Sequence, residues 1–140
     1  MNTVERLLKA DAGKFVLPEK SIELKRLSNI AGGRIVFTIR AISHAQYEDI
    51  MDANNAAKLD IHGHQVSMQG IHDDSNCKVC LAGIVDPDLK NHELMTHYKA
   101  LTPEELLKKL LLPGEIATIA EEIMDLSGFN NSDMVQDVKN

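Results

Sequence analysis

The sequence TPEELLKKLLLPGEIATIAEEIMDLSGF, residues 102–129, contains consistent start and stop signals for two helices. Thr102 is a favourable N-cap, and Pro103 suits the first helical position because its missing N–H would be unsatisfied there anyway. Glu105, three residues after the cap, completes a capping box. Leu101 and Leu106 are spaced as a hydrophobic staple. These signals predict a helix that begins at Thr102.

Pro113 interrupts this helical pattern because proline lacks a backbone donor and clashes with the preceding turn. We therefore expect the first helix to end near Leu112 and a second to begin there, forming a helical corner. Gly128 suits the left-handed position after a helix, where Phe129 can fold back on Met124. Apolar residues recur at helical spacing along the second helix and predict its buried face: Ile116, Ile119, Ala120, Ile123 and Leu126.

The composition indicates one domain with an aliphatic core. The chain has 140 residues, 44% hydrophobic and 4% aromatic content, and no tryptophan. The net charge of −6 disfavours nucleic-acid binding, which depends on basic side chains. We also find no apolar run of the roughly 20 residues needed to cross a bilayer, and no signal peptide. These features predict a cytoplasmic protein that binds neither nucleic acid nor membrane.

The N-terminal part predicts a short helix followed by a β-hairpin. Residues 3–11 form an amphipathic pattern too short to be stable unless it docks on something. Ile22 and Leu24 alternate with polar residues, and residues 34–42 place Ile35, Phe37, Ile39 and Ala41 on one face of a strand. The turn signal at residues 31–33 predicts a loop of several residues between the two strands.

Helical signals dominate after the hairpin. Ser43 and Gln46 form a second capping box, and Asn54-Asn55 predicts the end of that helix. Residues 57–74 alternate weakly, so they are compatible with short strands or with a loop. Ser75 is placed as the cap of another helix that extends through Val85, and a short helix covers residues 92–98.

Together these patterns predict an α+β, mostly helical fold in which an N-terminal β-hairpin packs with several short helices and a C-terminal helical corner. The whole chain, residues 1–140, forms a single domain in this prediction. Its segments are an N-terminal helix and linker (1–20), the hairpin (21–42), a mainly helical region (43–129) and a flexible tail (130–140).

One spacing resembles a zinc site. Cys77 and Cys80 are followed by His92 and His97, and two thiolates with two imidazoles hold zinc tetrahedrally in many small modules. However, both cysteines lie in an apolar helical run, where they pack as small hydrophobes. We therefore predict no metal, no other cofactor and no catalytic residues, and we retain a zinc-stabilised interaction module as the alternative.

The stretch from Val85 to Phe129, which includes PDLKNHELMTHYKALTPEELLKKLLLPGEIATIAEEIMDLSGF, resembles the small tail assembly chaperones of phages and phage-like prophages of Gram-positive bacteria. The resemblance extends in outline to IELKRLS (22–28) and IVFTIRAIS (35–43). It therefore covers most of the chain, and its most specific motifs are TPEELLKKLLLPGEI and the later LSGF.

The resemblance implies a non-catalytic protein that binds and solubilises the tape-measure protein during tail assembly and is not retained in the mature virion. It makes the tail-tube protein and further copies of the chain candidate partners. A structural tail subunit retained in the virion is a further alternative. We expect partner contacts at the apolar corner, formed by Leu110, Leu111, Leu112, Pro113 and Ile116.

Overall fold

The structure, a computed structural model, describes residues 2–58, 68–130 and 134–138. This part of the chain contains seven α-helices and a three-stranded antiparallel sheet, so the predicted α+β, mostly helical fold is confirmed. The helices are α1 (Thr3–Lys9), α2 (Lys25–Ala31), α3 (His44–Lys58), α4 (Met68–Gly83), α5 (His92–His97), α6 (Pro103–Leu110) and α7 (Pro113–Leu126). The strands are β1 (Glu19–Glu23), β2 (Val36–Arg40) and β3 (Ile84–Asp86).

The predicted hairpin is formed by β1 and β2, which pair with Glu19 opposite Arg40 and Glu23 opposite Val36. The predicted connecting loop is wrong, because the connection contains helix α2. This helix ends at Gly32, whose φ of 71° is left-handed, as is common at a helix C-terminus. Gly32 therefore marks a break in the chain, as its sequence indicated, but it caps helix α2 and does not form a simple hairpin turn.

Strand β2 lies at the centre of the sheet, with β3 on its other side. Phe37, Ile39 and Ala41 are buried on the predicted inner face. Ile84 of β3 pairs with Ile39. The predicted helix through Val85 is therefore wrong beyond Gly83, because the chain leaves α4 there to complete the sheet.

Helix α3 begins with the predicted capping box. The backbone N–H of Gln46 donates to Ser43 Oγ at 3.1 Å, and the backbone N–H of Ser43 donates to Gln46 Oε1 at 2.9 Å. The predicted end at Asn54-Asn55 is wrong, since the helix continues to Lys58. Asn54 Nδ2 donates to Ser75 Oγ at 3.2 Å, so this amide makes a contact between helices and not a local turn.

Helix α4 begins at Met68, seven residues before the predicted cap Ser75. Ser75 lies inside the helix, where its hydroxyl accepts the hydrogen bond from Asn54. A strand at Met68 is therefore excluded. The other residues considered for short strands, 59–67, lie outside the described part of the chain, as do residues 131–133 and 139–140 of the predicted tail.

The corner between α6 and α7 is present. Thr102 Oγ1 accepts from the Glu105 N–H at 3.1 Å, while Glu105 Oε2 accepts from the Leu101 N–H at 2.8 Å. The predicted staple is wrong, because Leu101 is 87% exposed whereas Leu106 is fully buried. Leu101 lies two residues after Lys99, whose φ of 56° is left-handed, and its side chain is in solvent.

Helix α7 ends as predicted. Gly128 has a φ of 95°, the Phe129 N–H donates to Met124 O at 3.0 Å, and the Gly128 N–H donates to Asp125 O at 3.1 Å. These two hydrogen bonds define a Schellman motif. The Phe129 ring lies 5.2 Å from the ring of Tyr47 on α3. The end of α7 is thereby packed against the start of α3.

The core lies between the inner face of the sheet and helices α4, α6 and α7. Its largest fully buried side chains are Ile39, Cys80, Leu106, Leu107, Ile119 and Ile123. Gly83, at the end of α4, lies directly against Ile123 of α7. None of the helices in residues 2–58, 68–130 and 134–138 has the length and hydropathy that a bilayer crossing requires.

Candidate partner-binding surface

The five residues predicted for partner binding are only partly accessible. Leu111 and Ile116 are buried in the core, and Leu110 is half-buried. Leu112, which is 52% exposed, and Pro113 lie on the surface. Partner binding at this corner stays a prediction, and Leu112 and Pro113 are the members of the set that can reach a partner without disturbing the core.

An arginine from α2 holds the corner together. Arg26 Nη2 donates to Glu115 Oε1 and to Leu110 O, both at 2.7 Å, and Arg26 Nε donates to Glu115 Oε1 at 3.0 Å. Glu115 Oε1 also accepts from the Leu112 N–H at 2.8 Å. Arg26 therefore links the end of α6 to the start of α7. The hydrogen bond from Arg26 lowers the pKa of Glu115 below its ordinary value.

We expect Glu115→Gln to lower the melting temperature at pH 7, because the amide keeps the shape of the side chain but loses the charge that attracts Arg26. A carboxylate with a lowered pKa stabilises the folded state above its ordinary pKa of about 4.5. This stabilisation disappears as the pH falls through the pKa of the folded state. In thermal melts between pH 7 and pH 2.5, the difference in melting temperature between the wild type and Glu115→Gln should become smaller as the pH falls. A difference that stays constant over this range would contradict this account.

The residues of the zinc alternative do not come together. Cys77 and Cys80 are buried in α4, whereas His92 and His97 are exposed on α5. Cys80 Sγ lies 3.3 Å from Ile116 O, and burial raises the pKa of its thiol to about 12. Among the described residues, no three His, Cys, Asp or Glu side chains form a group that could hold a metal ion. The geometry of these four residues gives the zinc alternative no support.

Replacing both cysteines with alanine should cost only the lost packing of two buried sulfur atoms, about 1–3 kcal/mol of unfolding free energy. A chelator should leave the melting temperature of the wild-type chain unchanged. His92→Ala and His97→Ala serve as controls, because both side chains are exposed. A zinc site would instead show about one zinc per chain and a loss of fold with the chelator.

Large apolar side chains are exposed at the N-terminal end. Helix α1 buries none of its side chains. We call residues 2–16 the N-terminal arm. Its exposed apolar residues, between 63% and 79% accessible, are Val4, Leu7, Leu8, Phe15 and Val16. The sequence analysis did not assign partner binding to this segment. The available signal was an amphipathic helix too short to be stable unless its apolar face docks on another surface.

A cleft of about 680 Å³ lies between α3, the end of α4, β3 and the start of α6. Its lining includes the apolar side chains of Ile50, Leu81, Ile84 and Leu89. Five charged residues also line it, namely Asp49, Lys78, Asp88, Lys90 and Glu104. An apolar floor with a charged border is suited to an amphipathic segment, whose apolar face can be buried while its polar face stays in solvent.

The family model of phage XkdN-like tail assembly chaperones matches residues 4–139. This chain belongs to that family. The match covers nearly the whole tail assembly chaperone, including most of the N-terminal arm, so the resemblance inferred from the corner motifs is confirmed.

One solved structure supports the fold of this tail assembly chaperone. The crystal structure of the protein yqbn matches with a TM-score of 0.58 and 21% sequence identity, covering 86% of this chain and 93% of that one. At this identity the likeness shows the fold alone. No curated protein matches the chaperone significantly.

Proposed function

We propose that this chain binds and solubilises the tape-measure protein during tail assembly and does so without catalysis. The observation that carries the proposal is the match of residues 4–139 to a family of phage tail assembly chaperones. The proposed client is long, helix-rich and apolar. Coating by many copies of the chaperone would keep it extended until tail-tube subunits replace them.

The surface of the chain is suited to this role. The arm exposes five large apolar side chains, and the cleft offers an apolar floor of a size that accepts side chains from one face of a helix. Leu112 and Pro113 add a smaller exposed patch at the corner. The net charge of −6 keeps a coated client soluble through repulsion between complexes.

The proposed partners are the tape-measure protein, the tail-tube protein that displaces the chaperone, and further copies of the chain. The proposed location is the cytoplasm of the bacterial host, and we expect the protein to leave before the virion is complete. A structural tail subunit would instead remain in purified particles. Quantitative mass spectrometry of purified virions distinguishes a chaperone from a structural tail subunit. If the chain is a chaperone, purified virions should contain far fewer copies of it than of the tail-tube protein.

Co-expression with the tape-measure protein tests the binding step. We expect a tape measure that is insoluble alone to become soluble and to co-purify with the tagged chaperone. Ala117→Asp is a matched control for the effect of a substitution that adds a charge without altering either surface. Ala117 is an exposed position on α7, away from the arm and the cleft. A tape measure that remains insoluble and unbound beside folded chaperone would contradict the proposal.

A further inference from the structure

The arm and the cleft have complementary features. The arm carries an apolar face with Val4, Leu7 and Leu8 exposed, and a helix of seven residues is too short to be stable in water by itself. The cleft has an apolar floor that includes Ile50 and Leu81. Each chain thus contributes both an apolar segment that needs a surface and a surface that fits such a segment.

Charge favours a second copy of this chain as the occupant of the cleft. The arm has three basic side chains, Arg6, Lys9 and Lys14, against two acidic ones, although the whole chain has a net charge of −6. The cleft lining has three acidic side chains against two basic ones. A net positive arm is therefore attracted to the acidic body of another copy.

A reciprocal exchange covers both kinds of surface at once, because each copy contributes one arm and one cleft. Such an exchange is closed by a twofold axis, the commonest symmetry of soluble oligomers.

We propose that the N-terminal arm of one copy docks in the cleft between α3, α4 and α6 of a second copy, and that the pair exchanges arms reciprocally. This inference rests on the proposed function and specifies the self-association included in it. In the pair the arm and the cleft are occupied, so the tape-measure protein must displace the partner's arm to reach them. It is tested on the chaperone alone, so that its failure would leave binding of the tape-measure protein as a separate question.

The test measures the mass of the full chain in solution by light scattering and sedimentation over a range of concentrations. We expect the wild type to have twice the 15.5 kDa mass of one chain and to dissociate on dilution. Leu7→Asp with Leu8→Asp removes the apolar face of the arm, and Ala53→Arg fills the cleft from α3. Asp49→Arg reverses a charge at an exposed position of the cleft and serves as a second cleft variant if Ala53→Arg perturbs folding.

Each variant alone should be monomeric at concentrations where the wild type is a dimer, while its circular dichroism spectrum still shows a folded body. Its melting temperature should match that of the wild type diluted until it is monomeric. A mixture of the arm variant and the cleft variant should form a weaker heterodimer, since one intact arm then meets one intact cleft. Leu101→Asp is the control, because Leu101 is 87% exposed and lies in neither surface.

A wild type that is monomeric at all concentrations would overturn the proposal. So would a dimer whose mass is unchanged in both variants, because another surface would then hold it together. If the arm docks in the cleft of its own chain, the wild type is monomeric, and its arm becomes more sensitive to protease in Ala53→Arg; this result also overturns exchange between copies.

Discussion

Ile119→Asp is expected to unfold the protein or to lower its unfolding free energy by about 4 kcal/mol or more. Ile119 is 2% exposed at the centre of α7, among the side chains of the core. An aspartate there must either stay charged without water or bind a proton, and both states lose the packing of the isoleucine. Because a domain of this size is stable by only about 5–15 kcal/mol, this single change removes a large part of the total.

Ala117→Asp is the matched control for this prediction. Ala117 lies two residues away on the same helix, where its side chain is exposed. The same new charge at this position should cost about 1 kcal/mol or less, from the lower helix propensity of aspartate and its repulsion with Glu121 one turn later. Urea or thermal melts followed by circular dichroism compare the two variants, and equal tolerance of both aspartates would show that the Ile119 face of α7 is not core.

Gly83→Ala should be the second most damaging single substitution, at about 1–3 kcal/mol of unfolding free energy, although it adds only one methyl group. A Cβ at this position would lie 2.6 Å from both Cδ1 and Cγ2 of Ile123 and 2.9 Å from its Cγ1. Ile123 is fully buried, so its side chain has no free space into which it can move. The change should therefore separate the end of α4 from α7.

Gly114→Ala is the control, with an expected effect of opposite sign. Gly114 lies in the first turn of α7, and a Cβ there would meet no atom within 4 Å. Alanine is the better helix former, so this variant should be unchanged or more stable by up to about 1 kcal/mol. A stable Gly83→Ala variant, with an unchanged melting temperature, would mean that α4 and α7 do not approach each other as closely as the structure shows.

Local signals predicted the elements whose ends are fixed by their own residues. Thr102 and Ser43 begin helices because their hydroxyls accept from backbone N–H groups three residues later, and Gly128 ends α7 because it adopts a positive φ. The inner face of β2 also followed from alternation alone, since Phe37 and Ile39 are buried.

Elements whose limits depend on distant contacts could not be predicted in this way. Asn54 has the sequence signature of a helix end, but its amide contacts Ser75 of α4, and the helix continues past it. The segment that begins at Ile84 is apolar enough for a helix, yet it pairs with Ile39 of β2 as a strand. The end of α3 and the strand conformation at Ile84 are therefore determined by tertiary contacts and not by the local sequence.

The candidate surface was predicted less well than the fold. Leucine-rich sequence at the corner indicated apolar side chains but not which of them face solvent, and Leu111 and Ile116 are needed for the core. The Arg26–Glu115 ion pair joins residues 89 positions apart, so no local pattern revealed it. The exposed arm was visible only as a helix too short to be stable without docking.

We propose that many copies of this chaperone coat the tape-measure protein along its length. The most direct test is the copy number in the purified soluble complex, measured by light scattering and quantitative mass spectrometry for a full-length tape measure and for one shortened to half of its helical region. A coat predicts that the shortened tape measure binds about half as many chaperone chains. The same copy number on both, or no soluble complex with either, would contradict it.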